Sequence, residues 1–294
     1  MGITERIESF FEKHCYDIQK SFNLSRIIGI YYFLGLLELT INGSFDNPSS
    51  YLKIASLFIE LIVFLVIYYF FRKYKFTTET WQKRKITIRS FTKLLSLYLI
   101  TSRVICYIIS SIQGLFVTED VVLTGTVVDL GFTPDVIIDV VIIGPIIEEL
   151  ILRGAGLSLF KKDDNKMEAI IFTSIIFGLM HGNIDQAIPS MICGLILGYL
   201  AVEYGIIYSI IFHMVHNGFN YLIYFINNSQ IVEVIYIILF LLCICNPKKL
   251  INKLKTYKDV ESKFSYKRLI VYFLHPTIFL YLIMWIVLII VEMF

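Results

Sequence analysis

Charged residues are scarce in this sequence of 294 residues, at 17%, against 57% apolar and 15% aromatic. With a mean hydropathy of +0.73, that shortage leaves more apolar surface than one water-soluble core would bury, and the composition reads as a polytopic membrane protein. Cysteine is scarce too. Cys15, Cys106, Cys193, Cys243 and Cys245 are an odd number without metal-ligand spacing, and the closest pair lies in the apolar run "LLCIC". This pattern argues against a disulfide framework or a cysteine zinc site, and the five read better as small buried hydrophobes. Nor is there an excess of one charge: 26 Lys and Arg stand against 24 Asp and Glu, so the net +2 points neither to nucleic acid nor to an acidic partner. The opening "MGITERIESFFEKHCYDIQKSFNLSR" lacks the short apolar core and cleavage site of a secretory signal. Arg6 stands where a myristoylation signal wants Ser or Thr. Residues 1–26 read as an amphipathic segment lying along the cytoplasmic membrane surface.

What is present is a series of apolar segments, at about 27–42, 52–71, 94–112, 135–160, 168–183, 187–203, 206–226, 231–245 and 269–291. Most approach the roughly 20 residues a spanning helix needs. The expected fold is all-α, one transmembrane domain over 27–294 with nine helices, or eight if 27–42 or 231–245 is too short to span. Basic residues test the count. Four precede the first segment, eight lie in "RKYKFTTETWQKRKITIRSFTK", four between Arg153 and Lys166, and eight in "NPKKLINKLKTYKDVESKFSYKR". All four clusters fall on one side if the spans alternate, while "NGSFDNPSS", "SIQGLFVTEDVVLTGTVVDLGFTP", "GNID" and "NNSQ" hold none. By the positive-inside rule the N-terminus is cytoplasmic and the C-terminus external.

Against that background, "GPIIEELILRG" is anomalous. The segment Asp135 to Phe160 reads as one helix of 26 residues closed by Lys161 and Lys162, with Glu148 and Glu149 near its middle. An ionised side chain at the centre of a spanning helix costs about 2.5 to 3.5 kcal/mol on insertion scales, so it faces a partner or a watery cavity. Glu149 and Arg153 are four apart with the acid first, the favourable order for a pair on one helix face. Glu148 points about 100 degrees away from Glu149 in a helix of 3.6 residues per turn and needs a partner from another helix.

Three of the five histidines lie in the following spans. "FTSIIFGLMHG" puts His181 four residues after Phe177 on one helix face. "SIIFHMVHNGFN" puts His213 and Asn217 on a common face and turns His216 elsewhere. A carboxylate and an imidazole can hold and deprotonate a water molecule, as general-base hydrolysis requires. A second histidine and an asparagine supply donors for the oxyanion formed when water attacks a carbonyl. Glu148, His181, His213 and Asn217 therefore suit a peptide-hydrolysing site. A carboxylate and two imidazoles are equally a three-ligand zinc set, here Glu148, His181 and His213, and the spacing alone does not separate the two.

E-E-x-x-x-R, F-x-x-x-H and H-x-x-x-N on successive apolar segments, here "EELILR", "FGLMH" and "HMVHN", resemble the three motifs of the Abi family. These are the CAAX proteases and bacteriocin-processing enzymes, with the type II CAAX prenyl endopeptidases among them. The resemblance covers about 135–226. It implies an intramembrane endopeptidase acting on a membrane-associated or prenylated-type peptide, in the plasma membrane of a bacterium. In that family Glu148 and His181 would activate the water, His213 and Asn217 would stabilise the oxyanion, and Glu149 and Arg153 would support the site. Members have been described as metalloproteases and as metal-independent glutamate proteases, so zinc stays open. A non-enzymatic immunity or regulatory protein of the same fold is the alternative; a proton-coupled transporter is disfavoured by the lack of an internal repeat. His216 reads as structural, Arg103 as the partner of an acid such as Glu60 or Asp139, and Ser190, Gly194 and Gly198 as a close-packing stripe.

Overall fold

The computed structural model describes residues 26–30, 50–73, 85–113, 137–157, 166–181, 184–226, 229–243 and 266–273, with positions 9 and 283. Among the described residues every regular element is helical and there is no strand, in keeping with the all-α expectation. In chain order they are α1 (Ser50–Lys73), α2 (Ile88–Gln113), α3 (Gly144–Glu149), α4 (Lys166–Leu179), α5 (Ile184–Glu203), α6 (Ile206–Ile226), α7 (Ser229–Cys243) and α8 (Tyr266–Phe273). Two stretches among these residues, Ile88–Ile109 and Gln186–Glu203, are long and apolar enough to cross a membrane. The expected span 27–42 beyond residue 30, most of 269–291, and all of the N-terminal segment except Ser9 and Arg26 lie outside the described residues.

The segment expected as one regular helix over 135–160 departs from α geometry. Its described part keeps a right-handed helical backbone, but α3 is flanked by two wide π-helical stretches, Asp139–Ile143 and Leu150–Gly156. Pro145 is a local cause of the first. It has no N–H to give, and the N–H of Gly144 goes to the carbonyl of Asp139, five residues back. A Cβ at 144 would stand 3.2 Å from that same oxygen. Wide turns of this kind concentrate at functional sites.

A second departure concerns His181. Helix α4 ends at Leu179, so His181 stands in the turn beyond it, its N–H bonded to the Gly178 carbonyl at 3.1 Å. The residues that follow, Gly182 and Asn183, are the types that end helices.

Helices α4 and α5 form the closest pair. A Cβ on Gly194 would lie 2.8 Å from Ser174 and one on Gly198 2.9 Å from Ile170, while one on Gly178 would collide with Met191. The pairs 178/191, 174/194 and 170/198 run in opposite directions along the two helices, which makes them antiparallel and nearly backbone to backbone. Lipid tails are as apolar as leucine, so packing of this closeness and interhelical hydrogen bonds hold such helices together. At the far end of α5, Gly205 adopts φ +107°. Its N–H reaches the carbonyls of Leu200 and Ala201 at 3.1 and 3.2 Å. That left-handed position closes α5 and starts α6 one residue later.

Tyr98 and Leu99 of α2, Ile147 of α3, Ile151 and Leu152 just after it, Phe172 and Phe177 of α4, Leu197 and Leu200 of α5 and Phe212 of α6 share one buried core. Large apolar side chains also cover the outside: Phe58, Leu61 and Leu65 on α1, Tyr107 on α2, Phe225 on α6, Ile237 and Leu241 on α7. Meanwhile Glu149, Arg153, Ser209 and His213 are buried. Ionised groups inside and apolar groups outside suit a surrounding of lipid. Arg103 lies with its guanidinium 5.6 Å over the Tyr236 ring, an aromatic partner where a carboxylate was expected; the Glu60 side chain is outside the described residues.

Candidate active site

The buried charges are gathered where α3 and its second wide turn meet α4, α5 and α6. Glu149 and Arg153 pair as their spacing implies, Nη1 to Oε1 at 3.0 Å, with neither side chain exposed. Arg153 also donates through Nη2 to the Gly194 carbonyl at 3.1 Å, and its guanidinium lies 4.7 Å from the centre of the Phe177 ring. Glu149 takes two further donors from α6: the Ser209 hydroxyl bonds Oε2, and His213 Nδ1 stands 3.3 Å from Oε1. A carboxylate removed from water is tolerable only when its lone pairs are met in this way.

Glu148, turned away from Glu149 along the helix, retains 22% of its side-chain exposure and finds its partner on α6. Its Oε2 is 3.7 Å from His213 Nε2. His213 thus lies between two carboxylates, with Glu149 close enough to Nδ1 to fix the ring and Glu148 beyond direct hydrogen-bond reach of Nε2. Arg153 and Ser209 hold Glu149, and Glu149 aims His213.

His181 comes to the same place from α4. Its Nδ1 is 2.8 Å from the Phe177 carbonyl. A carbonyl only accepts, so Nδ1 carries the proton and Nε2 keeps a lone pair. Phe177 packs edge-on against both His181 and His213, with ring centroids 5.0 and 5.3 Å apart. One buried ring therefore separates and positions His181, His213 and Arg153.

Asn217, one turn after His213, donates through Nδ2 to the Val140 carbonyl at 2.9 Å. That oxygen is open because the Gly144 N–H is spent on Asp139 and Pro145 has none. Asn217 so ties α6 to the first wide turn, and one amide hydrogen and the amide oxygen remain for other use. His216, on another face of α6, has its ring centre 6.4 Å from that of His213 and 4.7 Å from that of Tyr98.

Glu148, Glu149, Arg153 and His213 are in direct succession, and His181 shares Phe177 with His213 and Arg153; Asn217 reaches the backbone beside them. Sequence reasoning missed Ser209, the Gly194 carbonyl and the Val140 carbonyl. Ser209 was signalled by its place four residues before His213 and eight before Asn217, on one face of α6. The other two are backbone atoms, exposed by a close helix contact and by a proline.

Among the described residues no three His, Cys, Asp or Glu side chains come together as a group able to hold a metal ion. His213 Nδ1 faces Glu149 and His181 Nδ1 faces the Phe177 carbonyl, which leaves the Nε2 atom of each ring and the Glu148 carboxylate as the remaining polar groups of the set Glu148, His181 and His213.

No curated protein and no solved structure matches the chain. Residues 132–219 match the family model described as Type II CAAX prenyl endopeptidase Rce1-like. That stretch contains all three motifs, α3 with both wide turns, α4, α5 and most of α6. Over this segment, which holds the whole glutamate and histidine cluster, the chain is similar to the type II CAAX prenyl endopeptidase Rce1-like family.

Proposed function

We propose that the protein is an intramembrane endopeptidase hydrolysing a peptide bond of a membrane-associated or prenylated-type peptide. The observation that carries this reading is His213 lying between Glu148 and Glu149, 3.7 and 3.3 Å away, with His181 on the same Phe177 ring. Glu148 is partly exposed and acts as the base that holds water, with His181 Nε2 as the second acceptor. The water oxygen bonds to the scissile carbonyl carbon, its proton passes to this pair, and the carbonyl oxygen takes the negative charge. His213, when protonated at Nε2, and the remaining Asn217 amide hydrogen donate to that oxyanion. The C–N bond then breaks and the stored proton leaves with the amine, so that water is consumed and nothing else. Glu149, Arg153 and Ser209 act by keeping His213 in place.

The family match and the apolar exterior support a membrane-embedded enzyme. The arrangement of basic clusters supports nine spanning helices in one domain over 27–294, with a core at 135–226, a cytoplasmic N-terminus and an external C-terminus in a bacterial plasma membrane. Purified protein in liposomes, offered a library of membrane-anchored peptides, tests the activity: wild type is expected to cleave and Glu148→Gln is not. Cleavage retained in the presence of a chelator supports the metal-free chemistry, and cleavage lost with chelator and restored by zinc overturns it. Wild type that cleaves none of the library while folded favours an immunity or regulatory role.

A further inference from the structure

His216 has no part in the reaction just described, yet it lies beside it. Its Nε2 is 2.7 Å from Asn220 Nδ2, one turn along α6. An amide nitrogen can only donate, so Nε2 accepts and the ring proton is on Nδ1. Neutral imidazole in water prefers the proton on Nε2; Asn220 holds His216 in the other form.

The consequence is a buried donor without an acceptor. His216 Nδ1 is inaccessible to solvent and has no hydrogen-bond partner among the described residues. The Asn217 amide is close by but does not meet it in bonding geometry. Leaving such a group unmatched costs about 1 to 3 kcal/mol, and an unsatisfied polar atom in a native interior calls for a reason. Rotation of the ring is blocked on one side, where Tyr98, itself 1% exposed, packs edge-on at 4.7 Å. The ring centre is 6.4 Å from that of His213. An acceptor reaching Nδ1 would satisfy its hydrogen.

We propose that this acceptor is the scissile carbonyl oxygen, and that His216 is a catalytic residue whose Nδ1–H stabilises the oxyanion. The proposal rests on the peptidase reading. It also completes it, because His213 is a donor toward the substrate only when a proton occupies Nε2 on the side of Glu148, whereas His216 Nδ1–H is a donor in the neutral ring. Asn220 is then a positioning residue acting through the tautomer. No bond to His216 forms or breaks; the hydrogen bond strengthens as charge builds on oxygen and relaxes when the C–N bond has broken.

The test uses full-length protein in liposomes and a cleaved membrane-anchored peptide. His216→Phe keeps a ring against Tyr98 and removes the donor; kcat is expected to fall about 10²- to 10³-fold, the loss seen on removing one oxyanion donor, with KM nearly unchanged. His216→Asn puts an amide nitrogen where Nδ1 stood and is expected to restore a measurable part of that rate. Equal kcat in wild type and His216→Phe, with Glu148→Gln inactive, overturns the proposal and leaves the peptidase reading standing; full activity in Glu148→Gln overturns that reading instead. A fall in thermal stability equal in both His216 variants, with no difference in kcat between them, assigns His216 a packing role. The tautomer is read without substrate, from the nitrogen resonances of labelled His216 in the full chain. A proton on Nδ1 that moves to Nε2 in Asn220→Leu is expected, and a wild-type proton on Nε2 overturns the proposal whatever the peptides do.

Discussion

Asn217 donates its side-chain amide to the Val140 carbonyl at 2.9 Å, filling the place of a backbone donor that Pro145 does not have. A residue from one helix thereby completes the hydrogen bonding of another. Asn217→Ala should leave the carbonyl unmatched and lower stability by about 1 to 3 kcal/mol. Pro145→Ala returns an N–H to that region, so the same Asn217→Ala change should cost less in the Pro145→Ala background. Thermal unfolding of the four proteins in detergent gives the coupling, expected at about 0.5 to 3 kcal/mol for groups in direct contact; additive effects would sever the link between the proline and the asparagine.

Arg153 and Glu149 are both fully buried, so removing one charge exposes the other to an apolar interior. Arg153→Met should destabilise the protein by about 3 to 5 kcal/mol, as for other buried pairs broken on one side. The double change Arg153→Met with Glu149→Gln should regain part of that stability, because no unpaired carboxylate is left. Unfolding midpoints for the two variants decide it.

Glu148 takes little part in this network and stays partly exposed. Glu148→Gln should therefore unfold at nearly the wild-type temperature while hydrolysis falls by about 10²- to 10⁴-fold, the usual contribution of a positioned acid or base. A variant that loses stability and activity together would make Glu148 a structural group.

Ser209→Ala removes one of the donors that hold Glu149. A hydrogen bond to a charged group is worth about 1.5 to 3 kcal/mol, and the loss should appear in stability. Activity should also fall, through the freedom given to His213, and more in kcat than in KM. Unchanged kinetics would show that Glu149 aims His213 without the serine.

Gly194→Ala would bring a methyl group to 2.8 Å from Ser174 and 3.1 Å from Arg153 Nη2. Overpacking of this size costs about 1 to 3 kcal/mol. The displaced guanidinium should loosen Glu149 as well, so stability and activity are expected to fall together. Measuring Gly198→Ala, which meets Ile170 on the same pair of helices but not Arg153, separates the two effects.

Much of this site was legible because its logic is periodic. The four-residue step from Glu149 to Arg153 and the hundred-degree turn to Glu148 follow from helix geometry alone, and the bounds 206–226 of α6 match the apolar run that foretold them. What was not legible lay where periodicity fails. The wide turns beside α3 depend on which carbonyl a proline leaves open, and His181 falls past the end of α4, where the spacing from Phe177 is kept by a side-chain to carbonyl bond and not by continued helix. From the sequence His216 reads as structural, because its angle on the wheel points away from His213. Its ring centre nonetheless lies 6.4 Å from that of His213, and an angle carries no information about side-chain reach.

The wide turns on either side of α3 have a bearing on how this site tolerates length changes. A π turn holds one residue more than the α turn it replaces, so deleting one residue within Asp139–Ile143 can be absorbed as ordinary α-helix, leaving Glu148 and Glu149 in phase with α6. The same deletion inside Gly144–Glu149 has no surplus to draw on and swings one glutamate by about 100 degrees. Each wide turn is thus a slack link in the chain, and the six residues between them set the angular timing of both acids.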